Sequence, residues 1–369
     1  MDESFTFFHP SIDRGGVEKN LISLINSLSE KNYRINLVTF NNYKQKIKKK
    51  KNLKINKRIK IYSSNSDKDI NWRIPKYIYC AYRLFIFCLL NKTTVISFQN
   101  NFSAIFVGLL TNTKVVIRCN TSPEKYIKNI LSKTIFKIVY SFSFKILVTS
   151  KDFKKEFINF FNLKTLVLKQ SLDIEALKQK SFESVKFDFF KKFNGLKIIN
   201  VGRLTDQKDQ ITILRSIVKL KNFYKVRILF IGDGEDKIKL KKFALKNKIH
   251  KNIKFLNFKQ NPFKYIKLAD IKILSSKYEG NPNILLETAA LKKLIISTNC
   301  PVGPKEILQN GKGGILFNVG DHEKLFKILK SINLNDNVIK KKILISYNYV
   351  KKNFSKSASD NFLRLIKQK

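Results

Sequence analysis

Short apolar runs alternate with stretches of helical periodicity along the whole chain. The strand-like runs cover residues 5–8, 34–40, 94–97, 114–118 and 146–149 in the first half, and 196–201, 227–231, 253–256, 271–275 and 294–297 in the second. Between them the apolar residues recur every three or four positions, as in Val17, Leu21, Leu24, Ile25 and Leu28. This alternation predicts parallel sheets whose strands are joined by crossover helices, an α/β fold.

The longest apolar segment runs from residue 77 to residue 90 (YIYCAYRLFIFCLL) and contains Arg83. Fourteen residues are too few to span a bilayer, so we expect a buried helix of a globular domain.

The strand and helix pattern restarts after residues 166–195, a mixed stretch that we interpret as a linker. The sequence therefore predicts two doubly wound, Rossmann-like domains, residues 1–172 and residues 173–345, with a ligand cleft at the carboxyl ends of their strands. Residues 346–369 are predicted to form a C-terminal helix that returns to the first domain and straps the two together.

The large net positive charge of the chain does not by itself indicate a nucleic-acid-binding protein. The 369 residues carry 73 Lys and Arg against 27 Asp and Glu, a net charge of +46. Residues 1–172 hold 31 basic and 10 acidic side chains and the remainder holds 42 and 17, so the excess is spread evenly. Only ten of the basic residues are Arg, the side chain best suited to reading phosphates and base edges, which favours a general composition bias over nucleic-acid recognition.

One local basic cluster begins at Lys44 and ends at Lys60, with ten Lys or Arg in 17 residues and no acid. It is either a solvated loop or an electrostatic contact with an anionic membrane or acceptor. No interleaved aromatic platform supports nucleic-acid binding.

Cysteine and histidine positions indicate no metal centre and no disulfide framework. The four cysteines lack CxxC spacing, the three histidines are far apart, and the opening MDESFTFFHP does not resemble a secretory leader. We expect a cytoplasmic protein that needs no metal or other cofactor, with a peripheral contact at the inner face of the membrane if the basic cluster binds lipid.

The segment 275–293 (SSKYEGNPNILLETAALKK) is the most informative for chemistry. Asn281 followed by Pro282 predicts a helix start directly after a strand, with Asn281 as the cap and Pro282 at the first helical position. The backbone N–H groups of Asn283, Ile284 and Leu285 would then form an anion site at the positive end of the helix dipole.

Two glutamates, Glu279 and Glu287, bracket that helix start. Between residues 237 and 305 the only other acid is Asp270. A carboxylate on each side of a phosphate site suits a ligand with a sugar at both ends of a diphosphate, which is the form of a nucleotide sugar.

Two more loops follow predicted strands. In VGRLTDQKDQ, Arg203 and Lys208 follow Gly202 and could neutralise a diphosphate, although in a Lys-rich chain they could equally be solvated. In DRGGVE, Gly15 and Gly16 permit close approach of a ligand, but the GxGxxG spacing is missing.

Taken together, these segments resemble the retaining, nucleotide-sugar-dependent glycosyltransferases of GT-B fold, specifically glycosyltransferase family 4. The resemblance rests on GGVEKNL, GRLTDQKD, EGNPNILLE and CPVGPKEIL with GGILF downstream, and it extends over nearly the whole chain.

The resemblance implies a role for each motif residue. Arg203 and Lys208 would contact the donor diphosphate, Glu279 the hydroxyls of the transferred sugar and Glu287 the nucleotide ribose. The amides around Gly280, Asn281, Asn283 and Ile284 would bind phosphate and sugar, and Gly15 and Gly16 would lie against the donor. Arg203, Lys208 and Glu279 would act in catalysis. Arg118 and Asn120 are acceptor-side candidates in a loop that lacks the family's frequent His or acid, and His9 is a further cleft candidate.

The resemblance also implies the activity. We expect a hexosyl- or N-acetylhexosaminyltransferase that moves a sugar, with retention, from a nucleoside-diphosphate sugar (a UDP-sugar is favoured) to a lipid-linked or saccharide acceptor in bacterial surface glycan biosynthesis. A sugar phosphate synthase or phosphorylase is an enzymatic alternative. A basic membrane- or nucleic-acid-binding protein on a degenerate GT-B scaffold is an alternative of another class.

Overall fold

The computed structural model describes residues 3–10, 16–40, 55–63, 73–123, 126–355 and 357–368. The chain divides into two compact units, one of residues 1–171 and 356–369 and one of residues 172–355. Each unit is built on a parallel sheet, which confirms the predicted α/β class.

The first unit contains a seven-stranded sheet of order β3-β2-β1-β4-β5-β6-β7. Its strands are β1 (Ser4–Phe8), β2 (Arg34–Val38), β3 (Lys60–Tyr62), β4 (Thr94–Ser97), β5 (Val115–Arg118), β6 (Lys145–Val148) and β7 (Leu166–Val167). Its helices are α1 (Gly16–Glu30), α2 (Arg73–Leu90), α3 (Asn101–Leu110), α4 (Ile130–Ser141), α5 (Lys151–Phe161) and, from the end of the chain, α14 (Ala358–Lys367). The strand order reverses beside β1, as in a doubly wound fold.

The C-terminal helix α14 belongs to the core of this first unit. The ring of Phe362 is fully buried, 5.5 Å from that of Phe5 and 6.2 Å from that of Phe7. Lys145 donates from Nζ to the carbonyl of Leu365, which satisfies an acceptor at the end of the helix. The last turns of the chain therefore complete the hydrophobic core that its first strand begins.

Helix α2 is not the buried helix that its composition predicts. It has a buried side, but a stripe of apolar residues at four-residue spacing, Ile74, Ile78, Tyr82 and Ile86, is exposed. Helix α4 carries a similar exposed stripe, and α3, which contacts both, exposes further apolar side chains. A run that is apolar on every side does not reveal which side faces solvent, so this surface was missed.

The second unit contains a six-stranded sheet of order β10-β9-β8-β11-β12-β13. Its strands are β8 (Leu196–Val201), β9 (Val226–Ile231), β10 (Ile253–Leu256), β11 (Ile271–Leu274), β12 (Leu294–Thr298) and β13 (Ile315–Phe317). Its helices are α6 (Ile174–Phe182), α7 (Gln210–Leu220), α8 (Lys237–Lys246), α9 (Phe263–Leu268), α10 (Asn283–Ala290), α11 (Pro304–Ile307), α12 (His322–Ser331) and α13 (Asn337–Phe354), with single 3-10 turns at Asp206–Lys208 and His250–Asn252.

All ten predicted strands are present, with ends that differ by at most two residues. The strands β3, β7 and β13 were not predicted, because two or three residues give too short an alternation to recognise. The segment 166–195 is not simply a linker, since β7 pairs with β6 and α6 packs on α9. The predicted helix 346–369 is in fact the end of α13, in the second unit, followed by α14, in the first.

Candidate functional site

The loop that follows β8 lies against the end of β9 in the second unit. A Cβ atom on Gly232 would lie 1.9 Å from the carbonyl oxygen of Gly202, so only glycine permits this approach. The Gln210 side chain donates to the carbonyl of Arg203 over 2.7 Å, which fixes the loop from its other end. The Arg203 side chain is exposed, and its Nη2 donates to Gln207 Oε1 over 3.3 Å.

The same loop brings Lys208 to Glu279. Lys208 Nζ lies 2.6 Å from Glu279 Oε1, and the lysine and carboxylate side chains are 18% and 8% exposed. The contact forms because β8 pairs with β11, so the loops that follow the two strands are neighbours. Two residues that the resemblance assigned to the donor are therefore ion-paired with each other.

Hydroxyl groups hold this pair in position. Ser276 donates to Glu279 Oε1 over 2.6 Å, Ser275 donates to the carbonyl of Lys208 over 2.7 Å, and Thr298 donates to the carbonyl of Ser276 over 2.7 Å. All three side chains are fully buried. They were not among the sequence candidates, although the Ser275-Ser276 pair at a strand end was a usable signal.

A second lysine, Lys272, lies in β11 and is fully buried. It donates to the carbonyl of Ile273 over 2.7 Å. Burial, together with the positive charge of Lys208, lowers its pKa to about 7, while the Glu279 carboxylate opposes that shift. Lys272 was not among the residues predicted from sequence, because one lysine among 63 in the chain carries no distinguishing signal.

Helix α10 begins two residues later than the predicted cap. Asn283 is its first residue and Pro282, with φ −73° and ψ 95°, occupies the cap position, so the prediction of Asn281 as cap was wrong. The proline φ fits both extended and helical backbone, and the sequence alone does not decide between them. Leu285 donates its N–H to the Pro282 carbonyl, so it is not one of the available donors; Asn281, Asn283 and Ile284 are partly exposed at this end.

Glu287 lies one turn into α10 and is 7% exposed. Glu279 and Glu287 thus both belong to the second unit and flank the start of α10, with Gly280 in the turn between them. The neighbouring Cys300 is buried, and burial raises the pKa of its thiol to about 12, so it is not an activated thiolate.

The acceptor-side candidates lie in the first unit. Arg118 ends β5 and is 3% exposed, while Asn120 donates from Nδ2 to the carbonyl of Phe98 over 3.0 Å. Both line a cavity of about 260 Å³ together with His9, Gln99 and Tyr126. The predicted loop candidates and His9 therefore share one pocket.

The remaining candidates are only partly described. Gly16 is the first residue of α1, whereas Gly15 lies outside the described residues. Of the basic cluster, only the part from residue 55 onward, with Lys57, Arg58 and Lys60, is described.

The described ranges contain neither a metal-binding cluster nor a membrane-spanning helix. No group of three or more His, Cys, Asp or Glu side chains there could hold a metal ion. Within the same ranges, no helix combines the length and the apolar character needed to cross a bilayer.

Comparison with known proteins finds a family match in the second unit. Residues 181–351 match the family model of the Glycosyl transferases group 1. An uncharacterized glycosyltransferase of Methanocaldococcus jannaschii is 33% identical over 206 residues, covering 53% of this chain and 51% of the relative. The matches to the first three curated relatives span from one half to about two thirds of their lengths.

Two longer matches extend over both units. A GalNAc-alpha-(1->4)-GalNAc-alpha-(1->3)-diNAcBac-PP-undecaprenol alpha-1,4-N-acetyl-D-galactosaminyltransferase of Campylobacter jejuni is 24% identical, covering 98% of this chain and 97% of its own. The crystal structure of Anabaena HepE in complex with UDP-glucose superposes with a TM-score of 0.77 at 15% identity, covering 98% of this chain and 99% of that one. The structural likeness confirms the predicted fold of two Rossmann-like domains, the GT-B fold.

Proposed function

We propose that this chain, which carries a glycosyl transferases group 1 domain, is a glycosyltransferase that uses a nucleoside-diphosphate sugar, with a UDP-sugar as the favoured donor. The observation that carries the proposal is the Lys208–Glu279 ion pair, held at the strand ends of that domain beside the start of α10. A cation for the diphosphate and a carboxylate for the sugar hydroxyls stand together there. Anabaena HepE, which has the same fold, was crystallised with UDP-glucose.

Each side chain has a distinct task in the proposed reaction. Arg203 and Lys208 neutralise the donor diphosphate, and Glu279 accepts hydrogen bonds from hydroxyls of the transferred sugar. Glu287 accepts hydrogen bonds from the hydroxyls of the nucleotide ribose. Backbone N–H groups at Gly280, Asn281, Asn283 and Ile284 supply the remaining donors to phosphate and sugar.

The sugar is transferred with retention in this proposal. The bond from the anomeric carbon to the diphosphate breaks and its electron pair leaves with the nucleoside diphosphate, whose growing charge Arg203 and Lys208 stabilise. The acceptor hydroxyl attacks the same face of the anomeric carbon, and its proton passes to the departing phosphate oxygen. Because Arg203 and Lys208 stabilise the negative charge of the leaving diphosphate, the proposed step uses no metal ion or other cofactor.

The acceptor is a lipid-linked or saccharide glycan. Two Campylobacter jejuni relatives are named as N-acetylgalactosaminyltransferases acting on undecaprenol-linked diphosphates, and a relative from Erwinia amylovora as an amylovoran biosynthesis glycosyltransferase. We infer a hexosyl- or N-acetylhexosaminyltransferase of bacterial surface glycan biosynthesis.

Thermal stabilisation by nucleotides tests the donor assignment. UDP, GDP, ADP and their sugars are compared on the wild type, on Arg203→Ala and on a control variant, Arg215→Ala, which removes an exposed arginine of α7. A ligand at about 100 times its Kd stabilises by roughly 2.7 kcal/mol. We expect stabilisation of the wild type and the control by a uridine nucleotide and a weaker response of Arg203→Ala. If no nucleotide stabilises the wild type and the protein binds DNA in a salt-sensitive way, the assignment as a glycosyltransferase is refuted.

We further infer that the chain works at the inner face of an anionic membrane, which the apolar side of α2, α3 and α4 contacts. Exposed apolar side chains recur there as Ile74, Ile78, Tyr82 and Ile86 on α2, Phe106, Leu109 and Leu110 on α3, and Leu131, Ile135, Ile138 and Phe142 on and just beyond α4. Residues 73–144 contain ten Lys or Arg and one acid, Glu124. Apolar insertion combined with basic attraction is how peripheral proteins bind anionic lipid.

Vesicle sedimentation tests this contact. Ile78→Glu combined with Leu131→Glu should reduce binding to vesicles of anionic phospholipid at least tenfold, whereas Ile238→Glu, on an exposed position of the second unit, should not. Neutralising Lys48 to Lys51 tests the basic cluster separately. Equal binding by the wild type and the double variant would contradict the contact through α2 and α4.

A further inference from the structure

The cavity of the first unit contains a buried arginine that has no anionic partner among the described residues. Arg118 is 3% exposed and lines the cavity, and its Nε and Nη2 atoms have no hydrogen-bond acceptor among the described residues. Within the same ranges no carboxylate lies within ion-pair distance of its guanidinium. Its visible partner is the ring of Phe98, whose centroid lies 4.7 Å from Cζ.

The guanidinium is charged despite this burial. Removal from water lowers the pKa of Arg118 to about 10, which still leaves it protonated at neutral pH. A buried charge without a paired anion is strongly unfavourable, and a cation–π contact offsets only part of that penalty. A ligand that carries an anionic group would supply the missing partner.

The second buried group of the cavity is His9. It is 2% exposed, and both ring nitrogens lack a hydrogen-bond partner among the described residues. The carboxylate that lines the cavity, Glu18, lies 3.9 Å from His9 Nε2, too far for a hydrogen bond. Arg118 and His9 thus both present to one cavity nitrogen atoms that have no hydrogen-bond partner among the described residues. The acidic residue of that cavity, Glu18, lies near His9.

We propose that this cavity binds an oxyanion of the acceptor, a phosphate or a carboxylate, through the guanidinium of Arg118. The inference rests on the proposed function, since the donor diphosphate is there assigned to Arg203 and Lys208 of the second unit, which leaves the acceptor to supply the anion. Arg is the side chain best suited to a planar, two-pronged hydrogen bond with either group. A lipid-linked diphosphate would bring a phosphate, and an acidic sugar would bring a carboxylate.

Anion titrations test the proposal on the full chain. Inorganic phosphate and acetate are titrated by calorimetry in the presence of saturating UDP, which blocks the donor site. We expect one of the two anions to bind the wild type, at least tenfold more weakly to Arg118→Met, and with wild-type affinity to Arg34→Met, which removes an exposed arginine of the same unit. Phosphate binding identifies a phosphorylated acceptor and acetate binding an acidic sugar. If neither anion binds in an Arg118-dependent way, the proposal is wrong.

UDP is titrated first, so that the two proposals fail separately. If UDP does not bind, the nucleotide-sugar assignment fails, and the anions are then titrated on Arg203→Ala to examine the cavity by itself.

Thermal unfolding separates a binding role of Arg118 from a structural one. Because Arg118→Met removes an unpaired buried charge, its Tm should equal or exceed that of the wild type. A lower Tm together with unchanged anion binding would overturn the proposal. If Arg118→Met is unfolded at 25 °C, Arg118→Lys, which keeps the charge, is titrated in its place; if both are unfolded, the arginine is structural and the proposal is again overturned.

Discussion

Lys208 Nζ donates to Glu279 Oε1 over 2.6 Å, across 71 residues of sequence. The two side chains meet because β8 and β11 are adjacent parallel strands whose following loops emerge at the same edge of the sheet. The ion pair therefore links the diphosphate-binding and the sugar-binding elements of the proposed donor site.

The Lys208–Glu279 pair should show strong energetic coupling. Lys208→Met leaves a carboxylate that is 8% exposed without its cation, and we expect it to destabilise the protein by about 2–3 kcal/mol. Glu279→Gln should cost less, because the lysine can extend toward solvent. A double-mutant cycle in urea should give a coupling of about 1–3 kcal/mol.

The control for that cycle is the pair of Lys219 and Glu323, whose side chains are each almost half exposed. Its coupling should not exceed about 1 kcal/mol. Equal coupling in the two pairs would show that burial does not strengthen the Lys208–Glu279 contact.

Burial of Lys272 should make stability depend on pH. Its folded pKa of about 7 lies below the unfolded value of 10.5, so the unfolded state binds more protons between these pH values. Stability should consequently rise with pH across this window, by at most about 1.4 kcal/mol per pH unit, and the penalty should be fully present below pH 7.

Urea denaturation at a series of pH values measures this dependence. Lys272→Met should be more stable than the wild type at pH 7, and the difference should shrink as the pH approaches 10. Lys254→Met, at an exposed position of β10, should follow the wild-type curve. A constant difference between Lys272→Met and wild type would mean that Lys272 keeps its ordinary titration.

Gly232 should not tolerate a side chain. An added Cβ would lie 1.9 Å from the Gly202 carbonyl oxygen, so Gly232→Ala must displace the loop that carries Arg203 and Lys208. Gly320→Ala is the matched control, since Gly320 also has a positive φ but has no atom within 4 Å of the added Cβ.

Strain alone should make Gly320→Ala unfavourable by about 1–2 kcal/mol. Gly232→Ala should exceed that by about 2 kcal/mol, because of the added overlap, and should weaken UDP binding in calorimetry. Equal effects of the two substitutions would indicate that the loop moves aside without penalty.

Phe362 should stabilise the first unit although it lies near the end of the chain. Phe362→Ala removes a fully buried ring that packs on Phe5 and Phe7, and we expect a loss of about 3–5 kcal/mol. Phe142→Ala, at a ring that is 57% exposed in the same unit, should change stability by less than about 1 kcal/mol. Hydrogen exchange should locate the loss in β1 and its neighbouring strands; unchanged exchange there would exclude α14 from that core.

The strands that precede the candidate donor residues could be predicted from sequence. A buried parallel strand needs a continuous apolar run, and the loop after it carries the polar residues. Arg203, Lys208, Glu279 and Glu287 were selected as candidates in this way, since each follows such a run or lies in the helix after it. Lys272 could not be recognised, because the sequence does not indicate whether a lysine inside a strand is exposed or buried.

The sequence by itself determined the two parallel α/β domains, their ten main strands and the loops that hold the candidate donor residues, because these features depend on local periodicity. Only the tertiary structure decided that Lys208 pairs with Glu279, that Arg118 and His9 are buried and line one cavity, that α14 completes the first core, and that α2 exposes a stripe of its apolar surface. Those features depend on which segments become neighbours and which sides of them lose water, and neither property is written in the order of residues along one segment.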